Sequence, residues 1–278
     1  MPSHPYKIYF VSLLILALVA SSCVNLRHIA EFSEASKEGI AEYEGLTPSF
    51  SKVCYQDCQQ EQVRKLDIRD ADCPCAENRK ADSITGVIYS AVHDYFQGLS
   101  DLSQNELTAY RTDGLTKALT AGDFGPLKLQ EADVKAYSDL STLLLRAFTD
   151  GFRRQKIKEY VIEAHGPLVK LLKLLELNLD GNLDGKLEVQ KIALKNYYLD
   201  FVMDKKLSDY ERTKFAENYY DRVSEIESQQ DEIDALVTVL QEIADGHKTL
   251  YDNANKMSDD KLRQELAQYG AQLHKFQP

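Results

Sequence analysis

Four cysteines carry the most readable chemistry of the chain. Cys54 and Cys58 are four residues apart, and Cys73 and Cys75 are separated only by Pro74. Thr47 is a good N-cap and Pro48 suits a first helical turn, so Cys54 and Cys58 are expected one turn apart on one helix face. Neither pair closes on itself without strain, which leaves cross-pairing. If the chain doubles back between the motifs, Cys58 joins Cys73 and Cys54 joins Cys75. A four-thiolate zinc site fits less well, because its ligand pairs usually enclose about two to four residues. A redox pair fits least, since no two-residue spacing occurs in a strand-then-helix context.

A second constellation is acidic. Asp180, Asn182, Asp184, Lys186 and Glu188 put an oxygen donor at every second residue, with Gly185 at the sixth place for a sharp turn and Leu187 at the eighth. This resembles the EF-hand calcium loop, whose pattern dockerin-type loops share. The resemblance implies side-chain oxygens from Asp180, Asn182 and Asp184, the carbonyl of Lys186, and a direct or water-bridged contact from Glu188. Lys191 stands at the twelfth place, where a bidentate glutamate closes the family's site, and Leu183 is apolar where a polar or small residue is usual. Calcium is therefore expected to bind weakly, at the concentrations met outside the cytoplasm. The same residues also suit a plain turn between two helices.

Other chemistry is absent from the pattern. His28, His93, His165, His247 and His274 are scattered, with no metalloprotease helix motif, nucleophile elbow or glycine-rich phosphate loop. The catalytic reading is none, and the protein is expected not to be an enzyme. Paired carboxylates such as Asp259 and Asp260 read as helix starts. Sixteen tyrosines without a tryptophan could line a ligand surface, yet Tyr137, Tyr219, Tyr251 and Tyr269 fall on helical stripes, where packing explains them.

The N-terminus sets the compartment. Ile8 to Ala20 is uncharged and follows Lys7, too short for a membrane span of about 20 residues and suited to a secretory signal. Ala20, Ser21 and Ser22 then precede Cys23, with Ala20 where leucine is commoner. This resembles the lipobox of bacterial lipoproteins, which implies cleavage before Cys23 and its acylation. Two or three acyl chains anchor far better than one, at about 0.8 kcal/mol per buried methylene. The resemblance implies a lipid-anchored envelope protein. No acid follows Cys23 closely, which points to the periplasmic face of the outer membrane. Export also favours the disulfide reading of the four cysteines. The net charge of −11 argues against nucleic acid as a partner.

These features need helices to position them. Apolar residues recur at spacings of three and four, without convincing alternation, so the fold is read as all-α: an antiparallel helical bundle with a long, coiled-coil-like C-terminal hairpin. Ile84, Val87, Ile88, Ala91, Val92, Tyr95 and Phe96 form one stripe ending at Gly98. Ser103 with Glu106 reads as the capping box of a next helix. Another helix carries Val134, Tyr137, Leu140, Leu144, Phe148 and Phe152, and His165-Gly166-Pro167 reads as a helix end. Ser208 and Glu211 cap a long seam through Phe215, Tyr219, Val223, Ile226, Gln230, Ile233, Val237, Leu240, Ala244, His247, Tyr251 and Ala254. Gln230 and His247 are polar seam residues, expected to set register. Ser258 caps a last helix, with Leu262, Leu266, Tyr269, Leu273 and Phe276, folded back on the long one. That helix is shorter than its partner, so part of the seam must meet the upstream bundle or another molecule.

The organisation expected is a signal peptide at 1–22, a lipid-anchored neck with the cysteine pairs at 23–80, a helical bundle at 81–206 and the hairpin at 207–278. The function expected is a non-enzymatic scaffold or protein-interaction module, with an envelope protein or a second copy bound through the hairpin. The alternative is a calcium-stabilised solute- or glycan-binding lipoprotein.

Overall fold

The computed structural model describes residues 26–67, 72–106, 126–127, 129–152 and 154–276. Among these the fold is all-α. In chain order the helices are α1 (Arg27–Ala41), α2 (Phe50–Arg64), α3 (Ala76–Ser103), α4 (Glu131–Thr149), α5 (Ile157–Glu176), α6 (Gly185–Met203), α7 (Asp209–Asp252) and α8 (Asp260–Leu273). A π-helical stretch, Leu177–Asp184, joins α5 to α6 without a break.

α3 and α7 organise the rest. α1, α2, α4 and α5 pack on α3, while α5, α6, α8 and α1 pack on α7. α1 contributes Ile29, Phe32, Ala35 and Ile40 to the core, so the stretch expected to be a neck begins with an interior helix. Buried side chains form one cluster from Leu26 to Leu273. Two glycines let α1 approach α7. A Cβ on Gly246 would lie 2.4 Å from Phe32 Cε2, and one on Gly39 would lie 2.8 Å from Val239 Cγ1.

Several helix ends differ from the expected ones, each for a local reason. α2 is capped by Ser49, whose Oγ accepts from Lys52 N at 3.3 Å, rather than by Thr47. Asp82 of α3 also accepts from Phe50 N at 2.8 Å and Ser51 N at 3.0 Å, which satisfies the free donors of that terminus. α3 runs through Gly98, because Leu99 and Leu102 continue its buried stripe. Ser103 is its last residue and donates to Leu99 O; the helix expected beyond it falls outside the described residues. In α4 the inward position belongs to Ala147, while Phe148 is 50% exposed. Gly151, with φ 58°, then turns the chain so that Phe152 reaches the core.

α5 passes straight through His165, Gly166 and Pro167. An internal proline costs roughly 3 kcal/mol. Leu168, Leu171, Leu172 and Leu175 beyond it are at most 2% exposed, and each contributes about 1.5–3 kcal/mol on burial, so packing wins.

The capping box of α7 forms as expected: Ser208 N donates to Glu211 Oε2 at 2.8 Å, and Glu211 N donates to Ser208 Oγ at 3.3 Å. α8 starts one residue later than expected, on Asp259, which accepts from Lys261 N. The buried face of α7 is wider than a single seam. Ile226, Gln229, Ile233, Leu236, Leu240, Ile243, His247 and Leu250 are its innermost residues, while Val237, Ala244 and Tyr251 flank them, partly buried. Gln230 is half-buried. The long helix meets α6 along its first half and α5, α1 and α8 along its second. The pairing of α7 with α8 is therefore real but confined to one end.

Candidate functional site

The cysteines pair as the doubling-back geometry requires. Cys54 bonds Cys75 and Cys58 bonds Cys73, each with Cα atoms 5.9 Å apart. Both crosslinks tie one face of α2 to the residues that lead into α3. Arg79 Nη1 donates to Tyr55 Oη at 2.5 Å beside them.

The segment expected as a calcium loop, with Asp180, Asn182, Asp184, Lys186 and Glu188, is helical rather than an open turn. Leu175, Leu179, Leu183 and Leu187 are all at most 2% exposed, and this four-residue apolar repeat holds the chain in one continuous helix. Leu183, in the place least suited to a loop, is a core residue. The oxygens that a loop would converge are instead dispersed. Asn182 Nδ2 donates to Asn178 Oδ1 at 3.3 Å. Asp184 Oδ1 accepts from Gln230 Nε2 at 2.8 Å, Gln230 Oε1 accepts from Lys191 Nζ at 3.0 Å, and Lys191 pairs with Glu188 at 2.9 Å. Lys191 thus completes a polar network between α6 and α7. Its ammonium holds the Glu188 carboxyl below the usual range. Gln230 sits between two charges of opposite sign, Asp184 at the end of the π-helical stretch and Lys191 on α6. Among the described residues no group of three or more His, Cys, Asp or Glu converges as a metal site.

A buried polar chain connects three helices. Tyr95 of α3 and His247 of α7 are both fully buried, with Tyr95 Oη 2.7 Å from His247 Nε2. His247 Nδ1 lies 3.3 Å from Nδ1 of His165 in α5, which is half-buried and stacked on Tyr251 at 3.9 Å between ring centres. The Tyr95 hydroxyl has its proton to place and His247 Nε2 beside it, so it donates. His247 then carries its proton on Nδ1 and donates to His165, whose own proton sits on Nε2. Burial pushes His247 down to about 3 and lowers His165, while it raises the Tyr95 phenol. Both imidazoles are neutral near pH 7. Tyr160 Oη donates to the Tyr95 carbonyl at 3.1 Å and its ring stacks on Tyr95. Sequence reading placed Tyr95 and His247 on stripes and missed the cluster, because its members lie 82 and 152 residues apart.

The two ends of α7 differ in kind. At its C-terminal end, His28 Nε2 of α1 lies 2.9 Å from the Met257 carbonyl, and Leu26 is 3% exposed. Cys23 lies outside the described residues, three positions before Leu26. At the other end α6 and α7 leave the body as a two-helix arm in which no residue from 195 to 225 is buried. Phe201 stacks on Phe215 at 4.4 Å, Tyr198 meets Tyr219 at 6.1 Å, and Arg212 Nε donates to Val202 O at 2.7 Å to satisfy the end of α6. On the outer face of α6, Val189, Ile192, Leu199 and Met203 are between 50% and 67% exposed, with no partner among the described residues. Their spacing was legible in the sequence, but nothing there told an outer stripe from an inner one.

No known protein family, curated protein or solved structure matches the chain. Among the described residues no helix is long and apolar enough to cross a membrane.

Proposed function

We propose that the protein is a non-enzymatic, lipid-tethered scaffold of the bacterial envelope, which holds the α6–α7 arm away from the membrane as a protein-interaction module. The observation that carries this reading is the opposition of the two termini of α7: the His28–Met257 contact at one, the bare arm at the other. Only Val24 and Asn25 separate Cys23 from the core residue Leu26, so acyl chains on Cys23 would hold the body within about 10 Å of the bilayer surface. The 44 residues of α7 span about 66 Å, which sets the reach of the arm. An exposed apolar stripe on an otherwise acidic protein marks an interaction surface.

Photo-crosslinking in a bacterial host tests the reading, with the crosslinker at Leu199, Met203 or Tyr220 on the arm and at Leu145 on the body. Adducts from the arm positions alone, together with an acylated Cys23 in the mass of the mature N-terminal peptide, are the expected result. An unmodified Cys23, or an arm as silent as Leu145, overturns it.

A further inference from the structure

We infer that the outer face of α6 is a dimerisation seam on which a second copy of this chain pairs in parallel. The inference rests on the reading of the arm as an interaction surface and names its occupant. Val189, Ile192, Asn196, Leu199 and Met203 recur at alternating spacings of three and four, which is a heptad seam distinct from the inner one that α6 gives to α7 through Leu187 and Leu194. All five are exposed. Asn196 takes the central seam position, flanked by Ile192 and Leu199. A single asparagine there, facing its counterpart, specifies register and a two-stranded state at some loss of stability.

Charge supports the same partner and orientation. The positions flanking this seam include Lys195 and, five residues on, Asp200. In a parallel pair those two positions face each other across the interface, so Lys195 of each copy meets Asp200 of the other, twice by symmetry. Both side chains are exposed. The surrounding stretch, 186–225, contains eight Lys and Arg and eight Asp and Glu, so the entire net charge of −11 lies elsewhere. Two copies of an acidic protein meet with least repulsion at this neutral region. A parallel pairing also leaves both Leu26 ends on the same side, as two copies held in one membrane require. The seam is only about two heptads long, so association in solution is weak, and confinement to a membrane raises the effective concentration.

The test uses the acylated full chain in vesicles of neutral phospholipid with Asn196→Cys, and Lys214→Cys on the exposed side of α7 as control. Under mild oxidation Asn196→Cys forms a disulfide dimer about tenfold faster than the control, and adding Leu199→Lys removes the difference while helical content is unchanged. Mixed vesicles carrying Val189→Cys and Met203→Cys copies report orientation, since only an antiparallel pair brings those positions together. Equal rates for Asn196→Cys and Lys214→Cys, or a dominant Val189→Cys–Met203→Cys product, overturn the inference. Arm crosslinks to a different envelope protein, with no dimer, would sink the dimer alone and leave the interaction reading standing.

Discussion

His28 Nε2 and the carbonyl of Met257 lie 2.9 Å apart across 229 residues of sequence, joining the first turn of α1 to the turn that follows α7. The contact is buried, and desolvation lowers the His28 pKa against the raising effect of that carbonyl. His28→Ala removes a buried hydrogen bond and leaves the Met257 oxygen unpaired, a loss of about 1–3 kcal/mol. Amide exchange should accelerate in the first turn of α1 and in 253–259 but not in the arm. Uniform acceleration throughout would show that the contact holds no particular junction.

Stability should fall in mild acid because of His247. Its folded-state pKa, about 3, lies below the unfolded value of 6.5, so between those limits the unfolded chain binds a proton that the folded chain refuses. The contribution is complete above pH 6.5 and is lost as pH falls towards 3, with a limiting slope of about 1.4 kcal/mol per pH unit. His165 acts in the same direction. Denaturant unfolding from pH 7 to pH 5 measures it, above the range where carboxylates dominate. His247→Leu lowers stability at pH 7, since Tyr95 Oη loses its acceptor, but flattens the slope; an unchanged slope would remove His247 from the account.

The two disulfides close loops with sequence separations of 21 and 15 residues, each worth about 3 kcal/mol by chain entropy. The oxidised protein should show no free thiol among Cys54, Cys58, Cys73 and Cys75. Reduction is expected to release α2 while most of the helical signal persists, because Phe50 and Val53 are the only α2 residues buried in the core. A thiol titration with and without reductant, followed by circular dichroism, reads both effects.

Two glycine substitutions should act in opposite directions. Gly246→Ala drives a methyl group into the ring of Phe32, itself 1% exposed, and destabilises by about 1–3 kcal/mol. Gly270→Ala, inside α8 with nothing within 4 Å of the added carbon, stabilises by about 0.5–1 kcal/mol. Thermal melts of the pair decide whether the α1–α7 approach is as tight as described.

Asp184 is engaged by Gln230, so Asp184→Ala should lower stability by about 1 kcal/mol equally with and without millimolar calcium. A calcium-dependent rise in melting temperature that Asp184→Ala abolishes would restore the ligand reading of 180–188.

Local chemistry determined a good part of this protein by itself. The helical periodicity, the Ser208–Glu211 capping box and the exclusion of the two local disulfides follow from spacings within a few turns, while the choice of Cys54 with Cys75 and Cys58 with Cys73 needed the chain to double back. What the sequence could not decide were contests between local signals and distant burial. Pro167 reads as a stop, yet the leucines beyond it find a core and the helix continues. Asp180 to Glu188 reads as a loop, yet Leu179, Leu183 and Leu187 face that same core. Tyr95, His165 and His247 become one polar chain only when three helices meet, and a buried hydroxyl needs whichever acceptor the packing brings. The outer stripe of α6 has the same periodicity as any core stripe, and only the tertiary structure, by leaving it exposed among the described residues, makes it a surface.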